Sequence, residues 1–81
     1  MSVRVEILYF AGLRDAAGIA SEQLDTDAAD LSALYAAVQA RLALPFPQRQ
    51  LRVAVDGEFA GWGEAVRAGS TVAFIPPVSG G

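Results

Sequence analysis

Three residue types are missing, and each absence removes a class of chemistry. The chain has no cysteine, which excludes a disulfide framework, a thiolate zinc site and a cysteine nucleophile. It has no histidine, the commonest general base and transition-metal ligand. It has no lysine, because all six basic residues are arginines: Arg4, Arg14, Arg41, Arg49, Arg52 and Arg67. Schiff-base chemistry and acyl transfer to an internal lysine are therefore impossible. Asp, Glu, Ser, Thr, Tyr and Arg remain, on a scaffold of 81 residues that is too small to enclose a deep substrate cavity. The chain is not expected to be an enzyme on its own.

Long apolar runs are missing too. None approaches the roughly 20 residues that span a bilayer. Met1-Ser2-Val3-Arg4-Val5-Glu6 alternates charge with valine instead of building a signal peptide. The expectation is a cytoplasmic protein with no membrane partner. A net charge of −3, with arginines scattered singly along the chain, argues against nucleic acid and favours a basic protein surface as partner. The hydrophobic fraction, 53%, exceeds the roughly 45–50% of soluble domains. It predicts a compact core with some apolar surface left for a partner.

Residues 3–10 alternate as a strand, with Val3, Val5, Ile7 and Tyr9 on one face and Arg4, Glu6, Leu8 and Phe10 on the other. The apolar end of that second face, at Leu8 and Phe10, is expected to be covered or to meet a partner. Gly12 and Ala16-Ala17-Gly18 read as turn material, and a weaker strand at about 19–25 would return as an antiparallel hairpin. Leu31, Leu34, Tyr35, Val38 and Leu42 share one stripe of a helix, with Asp30 as its N-cap, Arg41 near its negative end and Pro45 and Pro47 beyond it. Helix capping and dipole complementation account for Asp25, Asp27 and Asp30, so no metal is expected there. Residues 51–55 read as a third strand closed by Asp56-Gly57, and Glu58-Phe59-Ala60 could pair briefly. Trp62, between two glycines, reads as a lid on the core, with an interface anchor as the alternative. Residues 71–75 form the last strand. Strands before and after one main helix imply an α+β domain, with a mixed sheet and the helix packed across it. If the last strand lies parallel beside the first, the fold is a β-grasp, as in ubiquitin. The expected division is a β-grasp body over 1–75 and an extended tail over 76–81.

The tail reads Pro76-Pro77-Val78-Ser79-Gly80-Gly81. With Gly at about 7% of residues, a terminal Gly-Gly arises by chance about once in 200 chains; a frayed end is the competing reading. Two prolines favour an extended geometry at low ordering entropy, and six extended residues reach at most about 20 Å. Val78 suits an apolar pocket. Gly80 and Gly81 let a narrow channel close around the backbone. The terminal carboxylate is a poor electrophile, so acyl chemistry on it requires activation, most simply as an acyl-adenylate made from ATP by a separate enzyme.

The run Val72-Ala73-Phe74-Ile75-Pro76-Pro77-Val78-Ser79-Gly80-Gly81 resembles the C-terminal signature of the small subunit of molybdopterin synthase (MoaD-type), within the ubiquitin-like sulfur carriers. Val5-Glu6-Ile7-Leu8-Tyr9-Phe10-Ala11 and Leu13-Arg14-Asp15 are similar to that family's opening strand and loop. The resemblance implies that a MoeB-type adenylyltransferase activates Gly81 with ATP. A sulfur donor enzyme then converts it to a thiocarboxylate. The tail inserts into a MoaE-type large subunit and gives its sulfur to cyclic pyranopterin monophosphate, which builds the dithiolene of molybdopterin. It also implies a heterotetramer of two small and two large subunits, and no cofactor bound by the small subunit itself. Carried over by position, Gly81 is the reactive group, Gly80, Ser79, Val78, Pro77 and Pro76 form the inserted tail, and Phe10, Phe74 and Ile75 lie at the partner interface. Core packing is the competing reading for Phe10 and Phe74. Ala68-Gly69-Ser70-Thr71 departs from an acidic turn frequent in the family. The alternatives are a carrier for thiazole synthesis (ThiS-type) or tRNA thiolation (Urm-type), a protein modifier joined through Gly81 to a target lysine, and a passive binding module.

Overall fold

The computed structural model describes residues 1–77. Strand β1, Val3–Tyr9, buries Val5, Ile7 and Tyr9 and turns Arg4, Glu6 and Leu8 to the other face, as the period of two predicts. Phe10 then leaves the strand as the extended residue before a short helix, α1, Ala11–Ala17. The sequence reads as a turn here, and the helix is a correction. Gly12 is what misleads: a Cβ on it would lie 2.8 Å from Phe46 Cζ. That glycine makes room for a ring inside a helix instead of breaking one. Leu13 anchors α1 in the core, and Gly18, at φ +77°, ends it by donating its N–H to the Arg14 carbonyl.

Strand β2, Ser21–Thr26, returns antiparallel to β1 with Val5 opposite Leu24. The main helix, α2, spans Leu31–Leu42 and buries Leu31, Leu34, Tyr35 and Val38. Asp30 caps it, its Oδ1 accepting the Ala33 N–H at 2.8 Å. Two further N–H groups of its first turn, those of Leu31 and Ser32, donate to the carbonyls of Glu64 and Trp62. The loop before the last strand thus satisfies donors that a helix start leaves open. The helix ends at Ala43, in the left-handed region at φ +55°, two residues ahead of Pro45.

A 3₁₀ turn, Gln48–Gln50, leads into β3, Arg52–Val55. Asp56-Gly57 reverses the chain into β4, Glu58–Ala60, and β5, Thr71–Ile75, closes the body. The sheet order is β2-β1-β5-β3-β4. Strand β5 runs parallel to β1 and antiparallel to β3, so the first and last strands lie side by side in the centre. With α2 packed on one face, this is the β-grasp.

The aromatic centre of the core explains why the irregular stretch after β4 holds its place. Tyr35 meets Phe74 edge-on at 4.9 Å between centroids. Trp62 stacks on Phe74 and tilts against Tyr35 at 5.9 Å. Trp62 is the lid on the core.

Candidate functional site: the open sheet face and the root of the tail

The direction in which the chain leaves the sheet is set by β5. Val72 and Phe74 point into the core and are fully buried, so Thr71, Ala73 and Ile75 face the side away from α2. The register aligns Leu8, Ala73, Ala54 and Phe59 in one row across β1, β5, β3 and β4. In the next row toward the tail, Ile75 stands opposite Arg52. Ala54 and Ala73 are only 8% and 9% exposed although they lie on the open face, because their larger neighbours rise above them. The result is an open apolar groove of about 260 Å³ lined by Leu8, Phe10, Ala54, Phe59, Ala73 and Ile75. Phe59 and Phe10, 67% and 45% exposed, form two of its walls.

The expected site residues divide between this groove, the core and the tail. Phe10 and Ile75 are on the groove. Phe74 is a correction: it sits on the inward face of β5, is wholly buried beneath Trp62, and offers no surface to a partner. Pro76 is also buried, whereas Pro77 is exposed. The root of the tail is therefore fastened to the body, and only Pro77 of the pair projects. Val78, Ser79, Gly80 and Gly81 lie outside the described residues. Sequence reasoning noticed Leu8 and missed Ala54, Phe59 and Ala73. The signal of the two alanines is a small outward residue between bulky inward ones, as in Val53-Ala54-Val55 and Val72-Ala73-Phe74, but only the register brings them together.

The groove lining holds no titratable side chain, and its one side-chain polar group is the Thr71 hydroxyl, which donates to Glu6 Oε1 at 3.4 Å; the contact it offers is mainly apolar. The Arg52 guanidinium lies over the Phe59 ring at 5.4 Å, placing one positive charge on its rim. The acidic cluster is occupied with structure: Asp25 pairs with Arg4 at 2.9 Å and Asp30 caps α2. The Arg4 guanidinium holds the Asp25 carboxyl below its ordinary value. Among the described residues no group of three or more carboxylates is placed to hold a metal ion, and no helix is long and apolar enough to cross a membrane. On the core side, Tyr9 Oη donates to Glu22 Oε2 at 2.5 Å, and Arg41 pairs with the same oxygen at 2.6 Å. Burial first, and then the bond to that carboxylate, raise the Tyr9 phenol well above its ordinary value.

A β-grasp body with an apolar open face and a tail leaving its central strand defines the class of ubiquitin-like carriers. Residues 7–81 match the ThiS family. The chain belongs to that family and is a ubiquitin-like sulfur carrier of the ThiS/MoaD type. It is similar in structure to SAMP1 from Haloferax volcanii, with 31% identity, a TM-score of 0.80, and coverage of 96% of this chain and 99% of that one. It is similar also to a putative molybdopterin converting factor subunit 1 from Pyrococcus furiosus, at 26% identity and TM-score 0.79, covering 95% and 100% of the two chains. The complex of subunits 1 and 2 of the molybdopterin-converting factor from Helicobacter pylori contains the same fold, at 22% identity and TM-score 0.65, covering 98% and 100%. No curated protein sequence matches.

Proposed function

We propose that this chain is the sulfur-donating small subunit of a molybdopterin synthase. The observation that carries the reading is the continuity of groove and tail: Ile75 lines the groove, Pro76 is buried, and Pro77 is the first residue to project. A partner that covers the groove is thereby seated at the root of the tail. In the activation step the Gly81 carboxylate attacks the α-phosphorus of ATP, forming an acyl-adenylate and releasing pyrophosphate. A sulfide equivalent from a sulfur donor enzyme then displaces AMP and leaves a thiocarboxylate. The large subunit supplies the general bases and lysines that the small one lacks, and there the sulfur passes to cyclic pyranopterin monophosphate. The Pyrococcus relative, described as molybdopterin converting factor subunit 1, and the proline pair before Gly-Gly support this pathway over other sulfur carriers.

The test is restoration of molybdopterin synthesis in an extract deficient in its own carrier, using this chain with its matched large subunit. Restoration that depends on Gly81 is expected. Failure with a large subunit shown to be active contradicts the pathway. One observation favours a second reading, a modifier joined through Gly81 to target lysines: the relative at 31% identity is SAMP1, a small archaeal modifier protein. The two readings separate by mass, since conjugation yields adducts the size of whole proteins.

A further inference from the structure

Among the described residues, three that are not glycine sit in the left-handed region: Ala11 at φ +49°, Ala43 at φ +55° and Asp56 at φ +51°. A Cβ there crowds the following carbonyl, so glycine is the residue that enters the region cheaply. Two of the three have a local cause. Asp56 shares a hairpin turn with Gly57, and a tight turn between twisted strands takes a positive φ at both central residues. Ala43 ends α2, and a left-handed residue is an ordinary way to stop a helix. Ala11 has neither cause. It opens α1, and the glycine beside it, Gly12, is not left-handed. Gly12 gives up its side chain to Phe46, whereas the strained neighbour keeps its own.

The surroundings show what the joint at Ala11 holds. Before it, Tyr9 is buried and its N–H donates to the Ala20 carbonyl at 2.9 Å. After it, Leu13 is buried, and the N–H groups of Leu13 and Arg14 both donate to the Phe10 carbonyl, at 3.0 and 3.3 Å. Between these anchors the chain turns from the end of β1 into a helix that packs on the core. Phe10 is left 45% exposed as a wall of the groove.

We infer that Ala11 is a positioning residue, whose stiff left-handed joint fixes the backbone of Phe10 and so presets the groove wall that a partner meets. This rests on the proposed function, in which the large subunit covers the groove. Glycine would relieve the crowding but loosen the joint, because alanine has fewer conformations to visit. An apolar wall already in place loses less freedom when it is covered, which raises affinity without adding a contact. Backbone strain persists where its surroundings over-determine it, and it gathers at binding surfaces.

The experiment measures the affinity of the full chain for its matched large subunit, and the melting temperature, for substitutions at Ala11 and Ala43. Ala11→Gly should weaken binding about threefold while the melting temperature stays within about 4 °C, since relief of crowding offsets the added freedom of the unfolded chain. Ala11→Asn should bind like the unaltered chain, because asparagine accepts a positive φ and is stiffer than glycine, and Ala11 is exposed, with room for the larger side chain. Ala43→Gly makes the same exchange at the end of α2, on the opposite face of the sheet from the groove, and should leave affinity unchanged. In a Phe10→Ala chain the wall is gone, and adding Ala11→Gly should weaken binding by less than about 1.3-fold further. Unaltered affinity in Ala11→Gly, equal weakening by Ala43→Gly or by Ala11→Asn, or an undiminished loss in the Phe10→Ala chain overturns the inference. A fall in melting temperature large enough to account for the weakening overturns it as well. If the unaltered chain binds the large subunit and the Ala11 variants bind equally, only this inference falls. If the unaltered chain fails to bind a large subunit shown to be active, the proposed function falls.

Discussion

The indole of Trp62 lies on the ring of Phe74 with the planes 10° apart and the centroids 6.0 Å apart. That stack joins the irregular segment after β4 to the strand from which the tail departs. Phe74 is fully buried and Trp62 partly so. Phe74→Ala should therefore cost about 3–5 kcal/mol and Trp62→Ala about 2–4 kcal/mol, measured by urea unfolding followed by circular dichroism. A loss below about 1 kcal/mol for Phe74→Ala would contradict its place in the core. Trp62 is the only tryptophan, so its fluorescence reports the same transition in the unaltered chain.

The Tyr9–Glu22 hydrogen bond gives stability an alkaline limit. The Tyr9 phenol holds its proton above the ordinary value near 10, chiefly through burial and then through Glu22. Below pH about 10 both folded and unfolded chains keep the proton, and the interaction is fully present. Above it the unfolded chain releases the proton first, so stability falls as pH rises. Tyr9→Phe should weaken that decline between about pH 9.5 and 11, leaving the part due to Tyr35, which burial also raises. Equal slopes for the two proteins, from denaturation midpoints at several pH values, would contradict the assignment.

Most of the fold is legible from period and punctuation. Val3 to Tyr9 alternates cleanly, and Leu31, Leu34, Tyr35 and Val38 mark α2 with Asp30 ahead of it; all of these are local signals. What escaped depends on contacts far apart in the chain. Gly12 is helical because Phe46 packs where its side chain would be. Phe74 is inside because the parity of β5 is fixed by its pairing with β1 and β3. The groove was only half visible: Leu8 and Phe10 stand out as apolar residues on an outward face, but the small outward residues Ala54 and Ala73 mark no groove until register makes them neighbours. The proposed reactive group, Gly81, rests by contrast on the tail sequence and the family resemblance, without help from the fold.

The two alanines make a direct test of the groove as a partner contact. Ala73→Leu fills the groove floor with a larger side chain on the face away from the core. It should leave the melting temperature nearly unchanged and weaken binding to the large subunit about tenfold, equivalent to about 1.4 kcal/mol. Unaltered affinity in a folded variant would remove the groove from the interface.

Gly81 can be tested without any partner structure. The intact chain is incubated with ATP, the adenylating enzyme and a sulfur source, and its mass is measured. The account predicts a gain equal to the difference between sulfur and oxygen, located on the C-terminal peptide and absent from a chain lacking Gly81. An unchanged mass with a demonstrably active enzyme, or the same gain without Gly81, would contradict it.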